Sequence, residues 1–472
     1  MKIHLAFVLA ILLACASTSL IKQLKNKPLS QQRENPTQVN ENFVYNISQT
    51  VNKNLIGLDY AAEIYTGYIP VDDKGSRIFY HLYPANGAKD PKANLNNSYP
   101  LILWMQGGPG CSDWLAALTE LGPYIIVNDT KGNQVPQLTA INWNQGYNLL
   151  FVDQPPGVGF SPIGDGVNLN NSVQAAQYMQ TFLVSFFKIY TSLVKNSFYI
   201  FGESYAGHYI PALAALIYSN RTNNGLKLNG IAIGDGLVNP YYHAMGWWQA
   251  AYATGVVDTH TSDQMKAWGL EAQKAFNALN YSGVAALFDE IIGAIANYPQ
   301  TGVYDPDDYR DVQQPGIPPY EIWIESPNMR AAYGADPDIE YSDCDGTIYT
   351  NFYADIGASF AANISYLLNN NIPVLIYNGQ DDLVIPIAGT RGWLNALTWS
   401  KSANWLAAST KSYYDSNKNV IGTIKSYGGL TFIVVNKAGH MVPAYVPANA
   451  KQMIDNFIQG KFTSTAEEVI DV

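Results

Sequence analysis

Cysteine and charge are both scarce in this chain. Its 472 residues include 3 cysteines, and Asp, Glu, Lys and Arg together make up 14%. So few cysteines, with no His/Cys cluster, leave no zinc-ligand set. Basic residues are the minority. The 27 Lys and Arg against 38 Asp and Glu give a formal charge of -11, which argues against nucleic acid or an anionic membrane as partner. Phosphate-cradling loops are missing, since no glycine-rich turn leads into Gly-Lys-Ser/Thr and no G-x-G-x-x-G occurs. No heptad or internal repeat is evident, so the chain does not read as a coiled coil or a repeat array. The apolar run from Leu5 to Leu13 is too short to span a bilayer, and no other run is long enough.

What is present points to a large folded core. With 47% apolar residues, one α/β domain carrying an insertion fits better than three separate domains. The most informative stretch is Gly202-Glu203-Ser204-Tyr205-Ala206-Gly207. Ser197 to Phe201 before it reads as a buried strand, and His208 to Ile217 after it, with Pro211 early, reads as a helix. A serine on a tight turn between strand and helix is the nucleophile elbow of α/β-hydrolases, with Oγ raised above the sheet edge near a helix N-terminus. The usual elbow is G-x-S-x-G. Here Ala206 takes the last position, small enough for helix and strand still to approach.

Partners for the serine are expected in the order acid, then histidine. Asp381 and Asp382 follow the apolar strand Pro373 to Tyr377 and the turn Asn378-Gly379. His440 stands in a Gly-containing loop after the β-branched strand Thr431 to Val435. A carboxylate in that place can hold the imidazole tautomer and stabilise the imidazolium. Upstream, the strand Leu101 to Met105 empties into Gln106-Gly107-Gly108-Pro109-Gly110. Such a loop supplies one oxyanion-hole N–H, and the residue after the nucleophile, Tyr205, supplies the other.

Four blocks carry a family resemblance. Gln106 to Ser112, Asp153 to Ser161, Gly202 to Gly207 and Ala438 to Pro443 resemble the signature blocks of the serine carboxypeptidases, and the likeness runs from about Ala61 to about Gly460. With glutamine at 106, and with the loop Ile231 to Pro240, the chain looks closest to the vitellogenic-like branch. The resemblance implies Ser204 as nucleophile, His440 as base and Asp382 as the acid. It implies Gly108 and Tyr205 as oxyanion-hole amides. It also implies that Glu120 and Glu203, with Gln106 and supported by Trp104 and Gly107, bind the substrate's terminal carboxylate. Most members have asparagine where Gln106 stands, so the amide is moved by one methylene. Two neighbouring carboxyls resist double ionisation, so at least one should stay protonated and donate to that carboxylate. Met441 is expected to line the pocket of the leaving residue.

The N-terminus reads as a secretory signal over 1–16, with Lys2, the apolar run and Ala14-Cys15-Ala16 as cleavage site. Residues 17–54 read as a propeptide or flexible arm. Removal of Cys15 would leave Cys111 and Cys344, which should pair in an oxidising compartment, as the resemblance also implies, with free buried thiols as the alternative. Asn-x-Ser/Thr sites stand at Asn46, Asn96, Asn128, Asn170, Asn220, Asn280 and Asn363. Residues 55–240 and 351–472 are expected to form the hydrolase core, a mostly parallel sheet flanked by helices. Residues 241–350 are expected to form an inserted, largely helical cap, with 299–342 as extended loops. The acidic run Asp305 to Asp311 lacks the glycine and glutamate of an EF-hand and reads as a solvated loop.

The sequence thus predicts a serine-type carboxypeptidase, with no metal or cofactor, that acts on peptide and protein C-termini with an acidic optimum. It would be secreted or held in a lysosome or vacuole. Other classes stay open at this point. One is an esterase, lipase or acyltransferase on the same scaffold, and the other is a non-catalytic binding protein.

Overall fold

The computed structural model describes residues 46–86, 95, 98–297, 300–311 and 318–462. The signal segment 1–16, the arm up to residue 45 and the sequon at Asn96 lie outside the described residues. In chain order the strands are β1 (Gln49–Thr50), β2 (Tyr65–Pro70), β3 (Arg77–Tyr83), β4 (Leu101–Met105), β5 (Tyr124–Asn128) and β6 (Gln134–Leu138). Then come β7 (Asn148–Val152), β8 (Phe198–Glu203), β9 (Leu228–Gly234), β10 (Val374–Gly379), β11 (Lys411–Tyr414), β12 (Val420–Tyr427) and β13 (Leu430–Val435). Eleven of them form one sheet in the order β1-β2-β3-β7-β4-β8-β9-β10-β13-β12-β11, and β5 and β6 pair separately. The central run from β7 to β13 is parallel, and antiparallel strands close both sides.

Why the centre is parallel can be read from burial. Strands β4, β7, β8, β10 and β13 are buried at every position, as strands covered on both faces must be. Alternate residues of β4 enter different layers. Leu101, Leu103 and Met105 pack with the helices Ser172–Ile189 and Ala206–Ser219, while Ile102 and Trp104 pack with Trp114–Thr119 and Pro447–Ile458. At one point helix and neighbouring loop approach so closely that only glycine fits. A Cβ on Gly207 would sit 2.6 Å from the Leu237 carbonyl oxygen. The glycine of this elbow therefore stands one place later than usual.

Between β9 and β10 the chain leaves the sheet. It forms the helices Pro240–Ala253, Thr259–Asn277 and Tyr281–Ile295, which pack on one another and join the same apolar layer as Ala206–Ser219. Residues 299–342 are not all extended as expected. Pro319–Ile324 and Pro327–Tyr333 are short helices, each with proline at its first turn, and the second ends at Gly334 in the left-handed region. Proline fits a helix start and glycine its end, while buried Tyr320, Trp323 and Tyr333 anchor the pair. Reading proline and tyrosine only as loop formers missed this.

Candidate active site

Strand β8 delivers Ser204 in an uncommon backbone conformation, with φ 63°. Such a non-glycine residue costs on the order of 1–3 kcal/mol and persists only where neighbours impose it. Here Ser204 N–H donates to Gly234 O at 3.0 Å, and Ser204 O accepts from Gly207 N at 2.9 Å and Leu237 N at 3.0 Å. The next strands carry the other groups at the same sheet edge. Asp382 follows β10 and His440 follows β13, and β8, β9, β10 and β13 lie side by side. Asp382 Oδ2 and His440 Nδ1 are 2.9 Å apart, while Asp382 Oδ1 accepts from Val384 N at 2.7 Å and Ile385 N at 3.1 Å. Both side chains are buried. Burial pulls the imidazole pKa down, but the carboxylates of Asp382, Asp307 and Glu203 outweigh it and lift His440 to about 10. Of the two carboxylates left open at 381 and 382, only Asp382 meets the histidine. Asp381 pairs with Arg310 instead, at 3.1 Å.

A second acid beside Asp382 was not anticipated. Asp235 follows β9, is fully buried at φ 45°, and accepts from Gly379 N at 2.8 Å and Asn378 Nδ2 at 3.3 Å. Burial and the charge of Asp382 hold its carboxyl well above the usual range. Asp235, Asp382 and His440 are the one group among the described residues with metal-capable atoms within 4.8 Å of each other. The Asp382–His440 hydrogen bond, with Asp235 tied to the β10 turn, accounts for that closeness.

The acidic run is also placed differently from the expectation. Asp305, Asp307 and Asp308 are only 3%, 5% and 3% exposed, so this is no solvated loop. It lies as a strap across the loops that carry Asp382 and His440. His440 N–H donates to Asp307 O at 2.7 Å, Leu383 N–H to Pro306 O at 2.9 Å, and Tyr309 N–H to Asp381 O at 3.2 Å. Arg310 donates to Asp308 Oδ1 at 2.8 Å and to Lys437 O at 3.2 Å. Buried charges persist when paired, and Arg310 pairs one of these carboxylates, Asp308, together with Asp381.

Trp104, Gln106, Glu120 and Glu203 form a buried cluster, with Glu203 next to Ser204 in the chain. Trp104 Nε1 donates to Gln106 Oε1 at 2.8 Å, and Gln106 Nε2 donates to Glu203 Oε1 at 2.9 Å. Indole is a donor only, so it fixes the amide with its NH2 towards Glu203. Both oxygens of Glu120 and Oε2 of Glu203 are buried and accept from no other donor among the described residues, while the two carboxyls lie within hydrogen-bond reach of each other. Burial and the neighbouring Glu203 push Glu120 well above the usual carboxylate range. Burial likewise raises Glu203, to about 7, against the opposing pull of His440 and Gln106. These are acids able to keep a proton near neutrality.

The glycine loop is pinned from below. Asp113 accepts from Gln106 N at 2.6 Å and Val152 N at 2.9 Å, and Asp153 accepts from Ser112 Oγ at 2.5 Å and Phe160 N at 2.8 Å. Cys111 and Cys344 form a disulfide, flanked by Ser112 N to Asp343 O at 2.7 Å and Asp345 N to Gly110 O at 2.9 Å. Gly107 lies against Ser204, since a Cβ there would sit 2.6 Å from Tyr205 N and 2.9 Å from Ser204 Oγ. Gly108, Ser204 and Tyr205 share the wall of a cleft of about 470 Å³ including its mouth, which Trp247, Phe288 and Ile292 of the inserted helices complete. Met441, half-buried, precedes the short helix Val442–Tyr445 and is not part of that wall. Among the sequons, Asn46, Asn128, Asn170 and Asn280 are exposed, and Asn220 and Asn363 are half-buried.

A serine on a strained elbow, an Asp–His couple and glycine-loop amides on this sheet define a hydrolase of the α/β-hydrolase class. The serine carboxypeptidase family matches residues 57–460, and the chain belongs to that family. A serine carboxypeptidase-like protein of Arabidopsis thaliana is 31% identical, over 85% of this chain and 79% of its own length. Carboxypeptidase Y of Saccharomyces cerevisiae is 30% identical, over 90% of this chain and 80% of its own length. In structure, a prohormone-processing carboxypeptidase of Saccharomyces cerevisiae superposes with a TM-score of 0.73 at 21% identity, covering 87% of this chain and 95% of its own. That last likeness shows the fold.

Proposed function

We propose that this serine carboxypeptidase releases C-terminal amino acids through an acyl-enzyme formed on Ser204, with His440 as base and Asp382 orienting it. The last peptide carbonyl is attacked by Ser204 Oγ. His440 Nε2 takes the proton and returns it to the departing amine, while Asp382 holds Nδ1. The amides of Gly108 and Tyr205 receive the oxyanion. At least one of Glu120 and Glu203 keeps its proton and donates it in a hydrogen bond to the terminal carboxylate, steadied by Gln106, Trp104 and Gly107, and Met441 faces the leaving residue. Water then hydrolyses the ester by the same steps reversed.

The observation that carries the exopeptidase reading is the buried Glu120–Glu203 pair directly beside the nucleophile. Buried carboxyls with no partner beyond each other are costly in a fold unless a ligand binds them. The cleavable substrate supplies that partner as a carboxylate. An acidic optimum belongs to this proposal. The glutamate pair supports it, because ionisation on the alkaline side turns a donor into a repelling charge. The raised His440 opposes it, because the base must be neutral, so the pH profile is a sharp test.

The division into 55–240, 241–350 and 351–472 belongs to the same reading, as does affinity with the vitellogenic-like branch, which rests on Gln106 and the loop 231–240. So does a route through the secretory pathway to a lysosome, vacuole or the exterior. The apolar N-terminus, the disulfide and the exposed sequons support that route, and one relative bears the name vacuolar serine-type carboxypeptidase. No helix among the described residues is long and apolar enough to cross a membrane. A fluorophosphonate tests the mechanism: it should label Ser204 in the folded enzyme and abolish release from a blocked dipeptide. Label on another residue would overturn the assignment. Turnover of esters, with none of peptides bearing a free C-terminus, would favour the esterase or acyltransferase alternative.

A further inference from the structure

Three buried groups meet where β9, β10 and β13 end, and only two of them have a part in the proposed reaction. Asp235, Asp382 and His440 bring their polar atoms within 4.8 Å of one another. Asp235 is fixed in place by its backbone. Its N–H donates to Tyr377 O at 2.8 Å, and its φ of 45° is one that aspartate and asparagine tolerate better than most residues. Oδ1 accepts from Gly379 N and Asn378 Nδ2, and Asn378 Nδ2 also donates to Ile385 O at 2.9 Å. Those contacts explain an acceptor at this position. They leave Oδ2 without a donor among the described residues, and the Asp382 carboxyl lies within hydrogen-bond reach of Asp235.

Two adjoining carboxyls resist double ionisation, so one of them should hold a proton. Its place follows from the remaining contacts. Asp382 Oδ2 faces His440 Nδ1, and Oδ1 accepts from two backbone amides, so three donors stabilise charge there. Asp235 has donors on one oxygen alone. Burial, then the charges of Asp382 and Glu203, favour its neutral form. A neutral carboxyl has one O–H to give, and Oδ2 is the oxygen placed to carry it. This extra donor bears on the base. Burial lowers His440, but Asp382, Asp307 and Glu203 lift it to about 10. A carboxylate whose charge is shared with one more donor attracts an imidazolium less.

We propose that Asp235 is a positioning residue of the reaction, a neutral acid that donates from Oδ2 to Asp382 and tempers its charge, so that His440 sheds its proton at lower pH than it would beside Asp382 alone. The proposal rests on the roles given above to Ser204, Asp382 and His440 and adds a group to them. The other titratable groups facing this assembly are Glu203, Asp307 and the phenol of Tyr377, and a change at 235 leaves all three in place. Two arrangements compete with it. In one, Asp235 is an anion and helps to hold His440 charged. In the other, it only ties the β10 turn and has no effect on the base.

The rate at which an uncharged fluorophosphonate labels Ser204, measured against pH, follows the neutral fraction of His440 and needs no peptide substrate. The whole enzyme is compared with two variants. Asp235→Asn keeps an acceptor for Gly379 N and a donor for Asp382, whereas Asp235→Ala removes the donor. In Asp235→Ala the midpoint of the acid limb should rise by about 1 in pH, so that labelling well below it is about tenfold slower relative to its plateau. In Asp235→Asn the midpoint should stay within about 0.3 of wild type. A uniform loss in Asp235→Ala, with the limb unmoved, means a structural role and overturns the proposal. A fall of the midpoint in either variant means that Asp235 was charged and overturns it too, as does an equal rise in both. Infrared difference spectra of wild type against Asp235→Asn at pH 7 cover the case in which Asp235→Ala does not fold. They should show the carbonyl band of a neutral carboxyl at 235, and carboxylate bands in its place would overturn the proposal. Failure of Ser204 to label at any pH would bring down the catalytic assignment and this proposal together, whereas labelling without the expected limb movement brings down this proposal alone.

Discussion

Glu203→Gln isolates what the buried acid pair does. Glu203 has an ordinary pKa of 4.5 when unfolded and about 7 when folded, chiefly through burial. For an acid raised on folding, the associated stability is fully present below pH 4.5 and is lost as pH climbs through 7. That interval corresponds to about 3 kcal/mol across the range. Glutamine keeps an oxygen to accept from Gln106 Nε2, now at 2.9 Å, and turns an NH2 towards Glu120. The variant should therefore gain about 3 kcal/mol on wild type between pH 4 and pH 8, with little difference at the acid end. Glu120, relieved of its charged neighbour, should ionise more easily, so a smaller pH dependence remains. Denaturant unfolding followed by tryptophan fluorescence, at closely spaced pH values, gives the comparison. The same variant should flatten the alkaline rise of KM for peptides while leaving KM for C-terminal amides unmoved. Parallel stability curves for the two proteins would refute the reasoning, since Glu203 would then not be a proton-holding acid.

Other outcomes follow from single contacts. Asp382→Asn must place an NH2 either against the amides of Val384 and Ile385 or against His440 Nδ1, so the imidazole takes the wrong tautomer and kcat should fall by about 10⁴-fold, as steady-state kinetics would show. A drop below tenfold would mean that His440 is oriented by other groups. Cys344→Ser opens a bridge between residues 233 apart in sequence and should cost roughly 2–5 kcal/mol in the same unfolding assay. Two free thiols in the native enzyme would contradict the bridge.

The features legible in the sequence are those with local causes. The elbow at Gly202 to Gly207 announces itself because strand, turn and helix adjoin, and the glycine loop after β4 does so for the same reason. Asp382 and His440 were found because each directly follows an apolar strand. Asp235 obeys the same rule after β9 and could have been found by it, but its role depends on Asp382, far away in sequence. Asp113 holds the glycine loop through the Gln106 amide and Asp153 through the Ser112 hydroxyl, contacts that only the folded chain brings about. The run Asp305 to Asp311 was misread because its charges are paired at long range, by Arg310 with Asp381 and by its carbonyls with the His440 and Leu383 amides. A dense charge run looks solvated until its partners are known. Gln106 was expected to offer its amide donor to the substrate carboxylate, and in the fold Trp104 turns that donor towards Glu203, which residue type alone does not show.

The central claim is that Ser204 removes residues singly from free C-termini. Mass spectrometry of one peptide, in free-acid and C-terminally amidated form, tests it directly with wild type and Ser204→Ala. In acid, wild type should shorten the free acid stepwise from its C-terminus and work far more slowly on the amide. Ser204→Ala should lose activity on both by several orders of magnitude, on the order of 10⁶-fold. Internal cleavage, equal rates on the two forms, or near-normal turnover by Ser204→Ala would contradict the account.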